Sequence, residues 1–168
     1  MKKRIFVSLL LIFATLLSLA SCKNEKSVEY CELGIILTED FESYDTDGAF
    51  SVAYSDGNTV VGISRFSFVD CEELGLVSTM TPLKLAEVYL ERMDLGADFG
   101  VQIFGDVPYF TYTADSEEGS SYFYMPTFYR TPYAYFVITF ITPAQRAAEA
   151  REEYLGYIST AYILNEYL

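Results

Sequence analysis

The sequence predicts an α+β domain, an antiparallel sheet flanked by helices, and three observations predict it. Strand-like segments precede, separate and follow two helical stretches without the regular alternation of a parallel sheet. Each helical stretch opens on a threonine–proline pair, Thr81-Pro82 and Thr142-Pro143. The segment Tyr133 to Ile141 is apolar on both faces: Ala134, Phe136, Ile138 and Phe140 alternate with Tyr133, Tyr135, Val137, Thr139 and Ile141. Such a strand belongs at the centre of a sheet, covered on both sides.

The chain has 168 residues and opens on Met1-Lys2-Lys3-Arg4, a basic head, followed by an apolar run from Ile5 to Ala20. This is the layout of a secretory signal, too short for a comfortable membrane-spanning helix. Leu19-Ala20-Ser21-Cys22 resembles the bacterial lipobox, in which cleavage precedes a cysteine that carries a diacylglycerol. The other reading is an ordinary cleaved signal with an incidental cysteine. The lipobox reading divides the chain into a signal peptide (1–21), lipidated Cys22 with a short tether (22–30) and one α+β domain (31–168). It expects a protein lipid-anchored on the extracytoplasmic face of the bacterial cell membrane, its acyl chains contributing about 0.8 kcal/mol per buried CH₂.

Leu33 to Leu37 reads as the first strand. Residues 39–48, EDFESYDTDG, read as a polar loop. Residues 49–68 form two alternating runs around Ser55-Asp56-Gly57-Asn58, a hairpin. Thr81 caps a helix from Pro82 to Leu95, stopped at Gly96, with Leu85, Ala86, Tyr89, Leu90 and Met93 on one face. Val101–Phe104 and Val107–Ala114 read as a second hairpin around Gly105-Asp106, with Pro108 marking an edge or a strand start. Ser120–Tyr129 and Tyr133–Ile141 are long aromatic strands. Thr142-Pro143-Ala144-Gln145 reads as a capping box opening the helix Pro143 to Ile158, with Ala147, Ala150, Tyr154 and Ile158 as its buried stripe. Thr160 to Leu164 reads as extended.

Six stretches carry a resemblance to a known group: LGIILTEDFE from Leu33, FSVAYSDGNTVVGISRFSF from Phe50, TPLKLAEVYLERM from Thr81, GDVPYFTYTAD from Gly105, YFYMPTFYRTPYAYFVITF from Tyr122 and YLGYISTAYI from Tyr154. Together they resemble a group of uncharacterised lipoproteins and secreted proteins of Firmicutes that look like the Mog1/PsbP-like (DcrB-like) α/β/α sandwich. The group often has Leu-Pro at the end of its first strand; here Leu37 is followed by Thr38. The resemblance implies the sandwich fold and lends no catalytic residue. It favours a binding role, because the better-known relatives are accessory and interaction proteins.

Composition narrows the chemistry. Cleavage before Cys22 leaves 147 residues and removes Lys2, Lys3 and Arg4, so that 8 of the 11 basic residues face 24 acidic ones, a net charge of −16. That argues against nucleic acid as a partner. The chain has no histidine, which removes the commonest general base and zinc ligand. No nucleophile elbow, phosphate loop or metalloprotease motif is present, so the expectation is a non-enzyme with no cofactor and no metal site. A calcium reading of the Asp45-Thr46-Asp47-Gly48 loop fails as an EF-hand, because position 12 falls on Tyr54. A looser cation site would draw on Glu39, Asp40, Asp45 and Asp47.

Cys31 and Cys71 are a candidate disulfide. The compartment favours it, while a simple meander puts the two at opposite ends. The candidate binding surface is aromatic: Tyr133, Tyr135, Tyr122 and Tyr124, among 15 tyrosines. These rings are either core or, where the helices leave the sheet bare, an apolar groove rimmed by hydroxyls. Three functions follow in order: a non-catalytic binding or scaffold module docking an envelope protein partner; a small-molecule or ion-binding accessory of a transport system; a hydrolase using carboxylates.

Overall fold

In the computed structural model, residues 24–73, 77–95 and 99–164 are described. The lipobox, Cys22 and Gly96 lie outside them. Eleven strands are seen among these residues: β1 (Glu25–Tyr30), β2 (Leu33–Thr38), β3 (Glu42–Ser43), β4 (Val52–Ser55), β5 (Val60–Ser67), β6 (Gln102–Phe104), β7 (Val107–Tyr109), β8 (Tyr112–Asp115), β9 (Ser121–Arg130), β10 (Ala134–Pro143) and β11 (Tyr162–Ile163). The helices are α1 (Phe68–Glu73), α2 (Pro82–Arg92) and α3 (Ala147–Ile158).

All strand pairs are antiparallel, as the sequence predicts. The main sheet runs β3-β4-β5-β10-β9-β7-β6, with β8 also on β9; a smaller sheet runs β1-β2-β11. β10 is central and covered on both faces. Ala134, Phe136, Ile138 and Phe140 enter one core with Leu33, Ile35 and Leu37 of the small sheet and Ala150, Tyr154 and Ile158 of α3. Tyr135 and Val137 enter a second core with Cys71 of α1, Leu85 and Ala86 of α2, and Phe110 and Phe128. The expected sandwich is thus modified: one face carries α1 and α2, the other carries α3 together with a second sheet.

Four elements depart from the sequence reading. Glu25–Tyr30, expected as tether, is strand β1, paired along its length with β2. Its inward positions are Lys26, Val28 and Tyr30, so only one small apolar residue is fully buried and the strand reads as polar. The hairpin expected to reach Phe68 stops at Ser67, where α1 begins. Ser67 and Asp70 cap it reciprocally: Asp70 N–H donates to Ser67 Oγ at 3.2 Å, and Ser67 N–H to Asp70 Oδ2 at 3.2 Å. The expected strand Val107–Ala114 is broken into β7 and β8 at Phe110-Thr111. The last helix starts at Ala147, after a 3₁₀ turn (Ala144–Arg146), and not at Pro143. Thr142 and Pro143 are held in the ladder opposite Phe123 and Tyr122, and Thr142 Oγ1 donates to Asn58 O at 3.0 Å instead of capping.

α2 starts as expected: Thr81 Oγ1 accepts the Lys84 N–H at 3.2 Å and Pro82 fills the first turn. It ends at Arg92, and Asp94 takes a left-handed φ of 51°. β11 is pinned by Tyr162, whose ring lies where a Cβ on Gly34 would stand. Its hydroxyl donates to Glu29 Oε1 at 2.7 Å and pairs with Ser27 Oγ at 2.5 Å. Among the described residues no helix is long and apolar enough to cross a membrane.

Candidate binding face and apolar chamber

The face of the main sheet that carries α2 holds the features with binding chemistry. Near the β9–β10 turn, Tyr135 is fully buried. Its hydroxyl hydrogen is shared between Val77 O and Met80 O, each at 2.9 Å, which ties the approach to α2 down onto the sheet. Phe68 of α1 meets the Tyr135 ring edge-on at 5.2 Å. Tyr89 of α2 meets Phe128 edge-on at 5.4 Å.

Between α2 and the sheet lies a half-open chamber of about 160 Å³, lined by Phe66, Leu85, Tyr89, Arg92, Met93, Tyr135 and Val137. The sheet supplies the floor and the inner side of α2 the roof. Burial raises the pKa of the Tyr89 phenol, so this ring enters the site as a neutral group.

Further along the same face the helices run out. Phe50 folds back over Gly62, where a Cβ would stand 2.5 Å from its ring. Next come Tyr112 and Tyr124, stacked at 4.8 Å with an interplanar angle of 5°, and Tyr122, all half-buried. Burial, and then the neighbouring phenols of Tyr89 and Tyr124, push the Tyr112 pKa well above the ordinary tyrosine value. Tyr124 is raised by burial and by Tyr122. These hydroxyls therefore stay protonated: they can donate and accept hydrogen bonds but are not phenolate nucleophiles.

The four tyrosines singled out in the sequence do not form one surface. Tyr122 and Tyr124 lie opposite Pro143 and Ile141, whereas Tyr135 lies opposite Arg130 at the other end of the hairpin. Six residues of β10 separate the two levels, roughly 20 Å. Tyr135 is core and Tyr133 is an exposed turn residue, 52 % accessible. The ring that stacks on Tyr124 is Tyr112, a residue of the expected second hairpin that the sequence reading did not assign to the surface.

Cys31 and Cys71 are both free thiols, which corrects the disulfide expectation. Cys31 is exposed in the β1–β2 turn, at a φ of 50°, on the small-sheet side. Cys71 is buried in the core under α2, so the main sheet stands between them. The acidic loop is not gathered around a cation. Glu39 Oε2 accepts from Asn24 Nδ2 at 2.7 Å, and Asp45 Oδ1 accepts the Asp47 N–H at 3.0 Å. Asp40 is exposed, and among the described residues no three acidic or thiol side chains converge.

No family model and no curated protein matches the chain. Among solved structures, a protein of Bacteroides thetaiotaomicron VPI-5482 is similar with a TM-score of 0.55 and 17% identity, over 80% of this chain and 46% of that one. The chain thus spans about half the length of that protein, and the likeness is one of fold alone. Cyanobacterial PsbP (CyanoP) of Synechocystis sp. PCC 6803 aligns with a TM-score of 0.49 and 7% identity, over 86% of this chain and 95% of that one.

Proposed function

We propose that this protein is an extracytoplasmic lipoprotein of the Firmicutes group with the Mog1/PsbP-like architecture, anchored through Cys22, that acts as a non-catalytic binding module. It docks a protein partner of the cell envelope on the shelf formed by Tyr112, Tyr122 and Tyr124. The observation that carries this reading is the incomplete cover of the α2 face. A stacked tyrosine pair is left half-exposed beside a helix-covered core. Rigid aromatic rings with a hydroxyl at the edge suit partner surfaces, since they offer large contact area and lose little side-chain entropy on binding.

The position of β1 supports the anchor's role. Only Lys23 and Asn24 stand between Cys22 and Glu25, the first residue of β1. The three steps from Cys22 to Glu25 reach at most about 10 Å, so an acylated Cys22 holds the domain against the bilayer surface. The acidic charge favours a partner with a basic rim.

Two measurements test the proposal. Cys22→Ser should move the protein from the membrane fraction to the soluble extracytoplasmic fraction; retention equal to wild type removes the lipid anchor. In-cell crosslinking should give a partner adduct that is lost in the Tyr112→Ala/Tyr124→Ala double variant at wild-type abundance. An adduct unchanged in that variant removes the shelf.

A further inference from the structure

We propose that the chamber beneath α2 is a binding site for a small uncharged ring, aromatic or alicyclic, of about six to eight non-hydrogen atoms. This inference does not rest on docking at the tyrosine shelf, since Tyr112, Tyr122 and Tyr124 do not line the chamber.

Size is the first argument. Packed elements seldom leave gaps much larger than a water molecule between them, yet the half-open chamber between α2 and the sheet measures about 160 Å³. An apolar cavity of about 150 Å³ accepts benzene, so a chamber of this volume has room for one such ring.

The second argument is that its walls are held open. The Tyr135 ring cannot swing inward without losing its hydrogen bonds to Val77 O and Met80 O. Tyr89 is held against Phe128 at 5.4 Å and near Phe110 at 6.4 Å. Val137 is fixed in the central strand, between β5 and β9. Among these walls the adaptable side chain is Met93, which sits where α2 ends. An unbranched thioether re-packs around a guest at low cost, so this end is the entry.

The third argument is chemical. The side-chain carbons of Phe66, Leu85, Met93 and Val137 and the ring faces of Tyr89 and Tyr135 make up nearly all of the wall. The buried polar side-chain atoms that lack partners among the described residues belong to Tyr129, Arg146 and Arg151, none of which lines the chamber. A ligand therefore needs no polar group inside, and a cationic one would lose its hydration without compensation beside Arg92.

The test uses the purified chain with toluene as probe and benzylammonium as its charged counterpart of similar shape. Magnetisation transfer from toluene protons to the methyl groups of Val137, Leu85 and Met93 is expected. Millimolar toluene should raise the melting temperature by about 2–4 °C. Val137→Phe fills the chamber and should abolish both signals while keeping or raising the melting temperature; Leu85→Phe serves if Val137→Phe does not fold. Benzylammonium should bind at least about ten-fold more weakly than toluene. Absence of transfer and of a thermal shift in wild type overturns the proposal. So does an equal toluene response in the filled variant, or benzylammonium binding as tight as toluene, which would place the contact outside the chamber.

Discussion

Glu32 and Arg65 meet as a two-pronged ion pair across the two sheets: Arg65 Nε donates to Oε2 at 2.9 Å and Nη2 to Oε1 at 2.7 Å. Glu32 sits at the β1–β2 turn with its side chain 4% accessible, and Arg65 projects from β5 with 26%. The pair fastens the small sheet to the edge of the core, beside Phe136, whose ring centre is 6.0 Å from the guanidinium. The Arg65 hydrogen bonds hold the Glu32 pKa below its usual 4.5, although burial pushes the other way. A lowered folded-state pKa means that the stabilisation is complete above about 4.5 and is lost as pH falls through the folded value. Glu32→Gln should cost about 3 kcal/mol at neutral pH, because Arg65 loses its charge partner. Urea midpoints of wild type and variant should converge as pH is lowered from about 6 to 3. A gap that stays constant over that range would exclude the pair from solution.

The two thiols should differ sharply in reactivity. Cys31 is exposed, while Cys71 is buried, and burial followed by Asp70 raises its pKa. The thiolate is the reactive form. Alkylation of the native protein should therefore label Cys31 first and Cys71 only on unfolding, as read by peptide mass. Recovery of a Cys31–Cys71 bridged peptide would refute the arrangement of the faces.

Tyr135 holds α2's approach by one hydroxyl. Tyr135→Phe should cost about 1 kcal/mol, the loss of a buried hydrogen bond, and Tyr135→Ala about 3–5 kcal/mol as a large core truncation. Chemical denaturation measures both. A Tyr135→Phe variant as stable as wild type would mean that the hydrogen bonds to Val77 O and Met80 O contribute nothing.

The stacked tyrosines should behave differently. Tyr124→Ala should destabilise by about 1 kcal/mol, the scale of one aromatic pair, because the ring is half-buried. A loss of 3 kcal/mol or more would make Tyr124 a core residue in the manner of Tyr135 and leave no shelf.

The cap of α1 offers a local test. Ser67→Ala removes one half of the reciprocal cap with Asp70 and should cost about 1 kcal/mol. Because α1 carries Cys71, the variant should also speed Cys71 alkylation, whereas a silent cap would change neither.

The features that were legible in the residues are those written in local pattern. The two-sided alternation of Tyr133 to Ile141 marks β10 as central, since no other position buries both faces of a strand. Thr81-Pro82 marks the start of α2, since cap and proline act within one turn. The remainder depends on partners distant in the chain. Glu25–Tyr30 looks like a polar tether until the ladder with β2 satisfies its backbone. Thr142-Pro143 looks like a helix cap until Phe123 and Tyr122 hold it in the sheet. Cys31 and Cys71 look like a pair until the main sheet stands between them. Tyr122 and Tyr124 join Tyr112, and not Tyr133 and Tyr135, because antiparallel register turns a short separation in sequence into opposite ends of a hairpin. The chamber is set wholly by non-local packing: its volume depends on how far α2 stands off a floor built from β5 and β10, and no stretch of sequence records that distance.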